Sequence, residues 1–406
     1  MRIAYLYQYF NTPAMPGGSR AYEAATRLAA RGHEVHVVTS TREPATGRGW
    51  VVTEAEGVRV HWYPVPYAND MHLIARMRSF AAFAVHAIPR TISLAPDLVF
   101  ATSTPLTIAI PGIATSRWHG VPLVFEVRDL WPTVPIAMGA LRNPLARHLA
   151  LGLEWFSYHA STRVIALSPG MAEGVLRRGF PAERLTVIPN GCDLDRFDAA
   201  PAAAMAFRDA HPELGGGPIV LYAGTVGKVN GVEYLAHLAD ATREQVPAVR
   251  FVVIGSGSEE GAVRARASEL GVLDRAFFMY PRMPKQDVAA AFAAASVVTS
   301  VVIDLPELEM NSANKFFDGL AAARPVAVNH GGWQADLLAD HGAGFRLPRD
   351  VVKAAEVLAA WLNDPARLEV AGRAARRLAE TRFARDLLAD QLERVLLEAY
   401  ATRRRR

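Results

Sequence analysis

Short runs of β-branched and other apolar residues alternate along this chain with longer segments whose apolar residues recur at helical spacing. Ile3–Tyr7, Val35–Thr39, Leu98–Ala101, Leu123–Val127 and Val164–Leu167 read as strands. Ile219–Ala223, Arg250–Ile254, Ala276–Tyr280, Val297–Val302 and Val326–Asn329 make a second set. Segments such as Ser19–Ala30, Val232–Thr242 and Val288–Ala294 read as the helices between them. Such alternation predicts parallel sheets with helices on both faces, and its appearance twice predicts two α/β domains.

The turn-rich stretch Ile188-Pro189-Asn190-Gly191-Cys192-Asp193 is followed by Asp198–Pro218, rich in Ala, Pro and Gly, which places the domain junction near Asp195–Asp198. A last helical pattern runs from Asp350 to Tyr400 with a break at Asn363-Asp364-Pro365, and its final portion is able to cross back to the first domain. The expected domains are therefore residues 1–197 joined by a final helix at about 384–406, and residues 198–383.

Composition narrows the class. With 406 residues, 51% of them apolar and 21% charged, the chain has length and core material for two globular domains and is not disordered. Cys192 is the only cysteine, which excludes an intrachain disulfide and fits a reducing compartment. The start MRIAYLYQYF lacks the pattern of a signal peptide and reads as a strand, and the uncharged run Val288–Ile303 is too short to span a bilayer. A cytoplasmic protein is expected, with a membrane surface as the other location open to it. The net charge of +4 is unevenly spread: Arg373, Arg376, Arg377, Arg382 and Arg385 crowd one region, and the chain ends Arg403-Arg404-Arg405-Arg406. Such a tail attracts nucleic acid or anionic lipid. No zinc spacing, RNA-binding aromatic signature or helix-turn-helix spacing accompanies it, so a nucleic-acid partner is not expected.

Candidate chemistry begins with glycine turns that follow strands, where backbone N–H groups at helix N-termini can hold phosphate. Pro16-Gly17-Gly18-Ser19, Gly224-Thr225-Val226-Gly227-Lys228-Val229-Asn230-Gly231 and Gly255-Ser256-Gly257 are such turns. One glycine turn can serve its own geometry alone; three directly after strands point to a phosphate ligand. None ends in Gly-Lys-Ser/Thr, which disfavours ATP hydrolysis. In Pro306–Val326 a polar loop opens a helix that stops before Arg324-Pro325. Asn311 or Ser312 can cap that helix, the free N–H groups around Ala313 and Asn314 can hold a pyrophosphate, Lys315 adds a point charge, and Asp318 can reach a ribose diol. The competing reading is an ordinary capped helix with a solvated Lys and Asp.

Arg128 and Asp129 leave a strand just before Leu130-Trp131-Pro132, which puts them at a sheet's carboxyl end. Asp129 can position or deprotonate an acceptor hydroxyl and Arg128 can meet a phosphate; a buried structural pair fits equally. Two apolar stripes carry basic neighbours: Leu73, Met77, Phe80, Ala84 and Ile88 with His72, Arg76 and Arg78, and Leu145, Leu149, Gly152 and Phe156 with Arg142, Arg147 and His148. Each stripe faces either the core or an anionic membrane surface.

Together these segments resemble the GT-B glycosyltransferases, most closely retaining glycosyltransferase family four, over nearly the whole chain. The resemblance is carried by Gly17-Gly18 with Arg31-Gly32-His33-Glu34-Val35, by Pro189-Asn190-Gly191 with Asp193 and Phe197, and by Lys315–Val326. Tyr7-Gln8-Tyr9-Phe10, Glu126–Pro132 and Asn314–Asp318 are similar to the branch that builds bacterial surface polysaccharides, often from N-acetylamino or deoxy sugars. The resemblance implies two Rossmann-like domains facing across a cleft. It further implies a UDP-sugar donor as substrate, no cofactor, and transfer with retention of configuration to a small-molecule, glycan or lipid-linked acceptor. Helix N-termini and lysine can meet the leaving-group charge, so no metal is expected. The family's loop against the base is matched by Tyr280–Met283, which makes Arg282 and Met283 base-covering candidates beside the Gly255 turn.

This chain departs from the family at several positions. Asp318 holds the second position of the family's glutamate pair, but Met310 holds the first, leaving Glu309 or Asn311 to contact the sugar. The family's basic phosphate pair falls at Thr225 and Asn230, for which Lys228 and Lys315 are the substitutes, and Arg128-Asp129 stands where many members carry a histidine. A UDP-sugar epimerase of the same fold is the alternative within the class, and a non-catalytic nucleotide-binding protein the alternative outside it.

Overall fold

The computed structural model describes residues 1–13, 15, 20–41, 49–66, 71, 73–198 and 201–403. Contacts divide the chain into two units, Met1–Pro189 with Arg385–Arg406, and Asn190–Ala384.

The first unit carries strands β1 (Arg2–Leu6), β2 (Glu34–Thr41), β3 (Val51–Ala55), β4 (Val58–Pro64), β5 (Leu98–Thr102), β6 (Leu123–Val127), β7 (Arg163–Ala166) and β8 (Leu185–Val187). Its sheet runs β3-β4-β2-β1-β5-β6-β7-β8, parallel throughout except for β3 against β4. Helices α1 (Arg20–Ala30), α2 (Leu73–Ser93), α3 (Ala109–His119), α4 (Thr133–Ala137), α5 (Pro144–His159) and α6 (Pro169–Arg177) connect the strands. β5 and β6 are buried at every position, as strands covered by helices on both faces must be, and so read as apolar runs interrupted only by Thr102 and Glu126. β3 is the exposed edge, turned back onto β4 through Glu56 and Gly57, both at positive φ as a two-residue hairpin turn requires.

The second unit contains α7 (Leu194–Phe197), α8 (Pro201–Ala210), β9 (Ile219–Ala223), α9 (Glu233–Thr242), β10 (Arg250–Ile254), α10 (Glu260–Glu269), β11 (Phe277–Tyr280) and α11 (Lys285–Ala294). It continues with β12 (Val297–Ser300), α12 (Asn314–Ala321), β13 (Val326–Val328), α13 (Trp333–His341), β14 (Gly344–Arg346), α14 (Val351–Leu362) and α15 (Pro365–Leu378). Its parallel sheet has the order β11-β10-β9-β12-β13-β14, which is the order 3-2-1-4-5-6 of a dinucleotide-binding Rossmann domain. α12 lies close on this sheet because Gly319 has no side chain; a Cβ there would come within 2.9 Å of Val298 and Val326.

Every strand read from the sequence is present. β3, β4, β8 and β14 are additional: β3, β8 and β14 lie at sheet edges, where the apolar signal is weak, and β4, inside the sheet, has Arg59 and His61 between its apolar residues. The seam falls at Pro189–Asn190, upstream of residue 197, because Asn190 donates its backbone N–H to Ser312 Oγ (3.1 Å) and Cys192 bridges to Ala384. The helical run ends in α16 (Arg385–Arg403), which packs in the first unit. Leu388, Leu392, Val395, Leu396 and Ala399 share a core with Ile3 and Tyr5, while Arg27 meets Asp386 (2.6 Å) and His33 meets Glu393 (2.8 Å).

Leu396 is fully buried in that shared core, so Leu396→Ala should cost about 2–5 kcal/mol. Hydrogen exchange should quicken in β1 and α1 and stay unchanged in β9 to β14. Equal loosening of both sheets would show that α16 is not specific to the first unit.

Candidate active site

In an open parallel sheet the ligand crevice lies at the carboxyl ends of strands, where the strand order reverses. In the second unit that point is between β9 and β12. The turn after β9 begins with Gly224, and Lys315 from the first turn of α12 fills the space beside it, so a Cβ on Gly224 would sit 2.8 Å from Lys315 Cε. The Lys315 ammonium stands 4.8 Å from the centroid of the Tyr222 ring, and the Tyr222 hydroxyl donates to the Thr225 carbonyl at 2.7 Å. Burial lowers the pKa of Lys315 to about 8, against a smaller opposing pull from Asp318. A cation here has lost its water and has received little negative charge from the protein in return.

The capping expectation is corrected. Ala313 is the N-cap of α12 and no side chain caps the helix. Asn311 instead accepts from the Ala313 N–H (3.2 Å) and donates to the Leu308 carbonyl (2.6 Å), while Ser312 Oγ takes the Asn190 N–H. Asn314 and Asp318 lie on the same short helix as Lys315, both half-buried. The helix thus starts without a side-chain cap from its N-cap residue, with the Ala313 N–H held by Asn311 and the Phe316 N–H by the Ala313 carbonyl.

Other candidates are distributed differently. Glu309 Oε1 accepts from the Gly331 N–H at 3.2 Å, which binds its carboxylate to the turn ahead of α13. Thr225 is exposed and Asn230 half-buried. Lys228 is exposed and lines a cavity of about 340 Å³ with Glu233, His237 and Glu259. Gly255 is explained by packing, since a Cβ there would fall 1.8 Å from the Gly224 carbonyl oxygen, and it holds the two turns together. Arg282 is exposed and Met283 packs half-buried on the core. Gly17 and Gly18 lie outside the described residues, as do His72 and Arg404–Arg406. Sequence reading missed Tyr222, which looks like one more core residue of β9. It also missed His330, fully buried next to Asn311 (3.5 Å) with its pKa lowered by burial.

The first unit has its own charged cluster at the carboxyl edge of β6. Glu126, 1% exposed, receives Arg20 Nη2 (2.7 Å) and the Thr102 hydroxyl (2.6 Å). Burial alone would raise its pKa, but Arg20 and Arg128 outweigh burial and lower it. Arg20 also donates to the carbonyls of Ile188 (3.0 Å) and Pro189 (2.5 Å). Arg128 donates its backbone N–H to Ser103 Oγ (2.9 Å) and lays its guanidinium over Tyr7, 4.8 Å from the ring centroid; its Nη1 is buried without a protein acceptor. Asp129 accepts from the Thr104 hydroxyl at 3.1 Å. Its carboxyl reaches solvent yet is crowded by protein, and this loss of hydration raises its pKa, with Arg128 pulling the other way. Thr104 adopts φ 127°, a strained conformation for a β-branched residue.

Among the described residues no group of three or more His, Cys, Asp or Glu side chains is placed to hold a metal ion. The one Asp-X-Asp spacing in the chain, Asp193-Leu194-Asp195, opens α7, and Asp193 pairs there with Arg196 at 2.9 Å.

Two α/β units of this topology, with charged clusters at their carboxyl edges, define the architecture of a glycosyltransferase. Residues 17–191 match the glycosyl transferase 4-like domain and residues 217–364 the glycosyl transferases of group 1. The chain is similar to the D-inositol 3-phosphate glycosyltransferase of Xylanimonas cellulosilytica, 31% identical over 419 residues, spanning 96% of this chain and 93% of that protein. It is also similar to the protein named colanic acid biosynthesis glycosyl transferase WcaI of Escherichia coli K12, at 23% over 283 residues, 66% of this chain and 69% of the other. The crystal structure of HepE from Anabaena in complex with UDP-glucose shares the fold, with a TM-score of 0.74 at 17% identity over 98% of this chain and 100% of that one. The chain belongs to the GT-B glycosyltransferases and is an enzyme of that class.

Breaking a buried ion pair strands the remaining charge. Glu126→Ala should cost the first unit about 3–5 kcal/mol, read from its urea unfolding, whereas the double change Glu126→Leu with Arg20→Leu should cost less than the single one. Because the Glu126 pKa is lowered on folding, its stabilisation is present above the ordinary carboxylate range and is lost as pH falls through the folded value. The wild-type and Glu126→Ala stabilities should therefore converge in acid.

Proposed function

We propose that this chain is a retaining, metal-independent transferase that moves a hexosyl unit, of the N-acetylamino or deoxy kind, from a UDP-sugar to a hydroxyl acceptor that is glycan or lipid-linked. The observation that carries the donor half is Lys315, a buried ammonium at the uncapped start of α12, seated against Gly224 at the strand-order reversal. A diphosphate at this point would receive the helix N–H groups and the lysine charge together. Asp318, one turn further along α12, is the group proposed for the ribose. Developing charge on the departing UDP is then met by donors already fixed in place, which is the strongest stabilisation a site of this kind can offer.

On the acceptor side Arg128 has a guanidinium nitrogen without a protein acceptor, suited to a phosphate of the acceptor or donor. Asp129, raised by its surroundings and held by Thr104, is proposed to accept a hydrogen bond from the attacking hydroxyl and orient it. In a same-face displacement the C1–O bond to UDP breaks, the acceptor oxygen bonds to C1, and the hydroxyl proton passes to the leaving phosphate oxygen. Asp129 need not keep that proton.

The test is nucleotide binding followed as a function of pH. UDP should bind, with GDP and ADP at least ten times weaker. Free Lys315 loses its proton near pH 8, and a bound diphosphate holds that proton on. UDP affinity should thus fall by up to about tenfold per pH unit above pH 8, well above the range near pH 6 where the terminal phosphate of UDP itself titrates. Lys315→Met should weaken UDP by about 10- to 100-fold, the value of a lost charged hydrogen bond, and flatten the profile. An unchanged profile would remove Lys315 from the donor site.

Stereochemistry has a separate readout. Proton NMR of the first product formed from an α-linked UDP-sugar should show an α-anomeric signal. A β signal would overturn retention while leaving the transferase assignment in place, and free epimer formed without acceptor would favour an epimerase.

A further inference from the structure

The two basic apolar stripes face opposite ways. In α2 the middle of the stripe turns inward, with Phe80 and Ala84 buried, while Met77 is exposed. In α5 it turns outward. Leu145 is 66% exposed, Leu149 64%, Trp155 50% and Phe156 37%, while the buried positions of the same helix are Glu154, Ser157 and Tyr158. The inward polar groups have partners within the first unit. Glu154 receives Arg178 Nε at 2.7 Å and the Tyr158 hydroxyl at 3.2 Å, and Ser157 donates to the Leu153 carbonyl at 2.6 Å. α3 extends the surface with Trp118, 72% exposed, and its Arg117 lies over the Phe156 ring at 5.0 Å, joining the two helices into one face.

The charge on this face has one sign. α2 and α3 contain no acidic residue, and the only one in α5 is the buried, paired Glu154. Exposed Arg117 and His148 lie on α3 and α5 themselves, and exposed Arg142 just before α5. The nearest helix in sequence, α6, brings Glu173, which faces its own Arg177 at 3.8 Å. A second copy docking through the same face about a two-fold axis would set arginine against arginine. An anionic bilayer presents the complementary charge together with an apolar layer for leucine and tryptophan. No described helix is long and apolar enough to cross a membrane, so the contact is with the surface.

We infer that the outward face of α5, with Trp118 and Arg117 of α3, docks on an anionic lipid bilayer. Leu145, Leu149, Trp155 and Trp118 enter the headgroup level and the arginines meet lipid phosphates. α5 begins on the sheet edge reached by β6, the edge that carries Arg128 and Asp129. Docking through Leu145 and Leu149, in the first turns of α5, brings that edge toward the bilayer, and it rests on none of the donor-site assignments.

Flotation of the full chain on vesicles of phosphatidylcholine, with and without about 30 mol% phosphatidylglycerol, tests the inference. Partition should be at least tenfold stronger on the anionic vesicles and should weaken with salt. The exposed double variant Leu149→Glu with Trp155→Glu should lose tenfold or more, and Arg117→Glu about three- to tenfold, each with the wild-type circular dichroism spectrum and melting temperature. Absent binding, equal binding to neutral vesicles, or an undiminished double variant would overturn the inference; the last would place lipid binding elsewhere, for instance in the arginine-rich C-terminus. Sedimentation as a dimer that Leu149→Glu dissociates would overturn it too, by assigning the face to a second copy.

Discussion

Charge taken out of water at the carboxyl edge of a parallel sheet has to be matched, and the two units match theirs differently. In the first unit Glu126 is surrounded by Arg20, Arg128 and Thr102, so a deeply buried carboxylate stays ionised and binds α1, β5, β6 and the Ile188–Pro189 carbonyls into one cluster. In the second unit Lys315 has the Tyr222 ring and a distant pull from Asp318, and its pKa falls to about 8. Desolvation of that size persists only where the fold gains from it. On the proposed reading the missing counter-charge is the donor diphosphate, and the lysine is held dry so that its attraction for an anion is strong when one arrives.

The close approach of Lys315 depends on what glycine leaves out. Gly224 has no Cβ to obstruct the lysine stem, and Gly255 has none to obstruct Gly224, so two successive turns nest on each other before the lysine packs on them. Gly319 does the same for the other side of α12 by letting the helix settle on β12 and β13. Three glycines thus determine where one ammonium stands, although only Gly224 touches it. A glycine-rich turn after a strand is for this reason weaker evidence for a ligand than it looks: Gly255 meets its steric need entirely within the protein.

Much of the architecture could be read from the chain because two-sided burial makes parallel strands into apolar runs, as in Ile219–Ala223 and Phe277–Tyr280. Edge elements escaped for the opposite reason: β3 is solvated, and β14 has only three residues. At the proposed site, Lys315 and Asp318 are candidates from sequence because charged residues interrupting a capped helix pattern stand out, and the fold buries Lys315 beside Gly224. The cap itself was misassigned, since Ser312 and Asn311 are equally able to bond elsewhere and the Asn190 amide, far away in sequence, takes Ser312. Lys228, a phosphate-ligand candidate by its charge, lines a cavity together with Glu233 and Glu259, a grouping that no local pattern encodes.

The paired stripes of α2 and α5 show the same limit most clearly. Period and apolarity are alike in both, and periodicity defines a stripe without saying which side of the helix the domain lies on. The deciding information sits on the opposite face. In α5 that face holds Glu154, Ser157 and Tyr158, residues that would be solvated on an ordinary helix, and Arg178, beyond β7, reaches back to neutralise the glutamate. Once Glu154 is committed inward, Leu145, Leu149 and Phe156 have nowhere to go but out. The exposed apolar surface is thus the consequence of a buried ion pair, and burying a charge to expose leucine is a costly arrangement unless the leucines have a partner of their own.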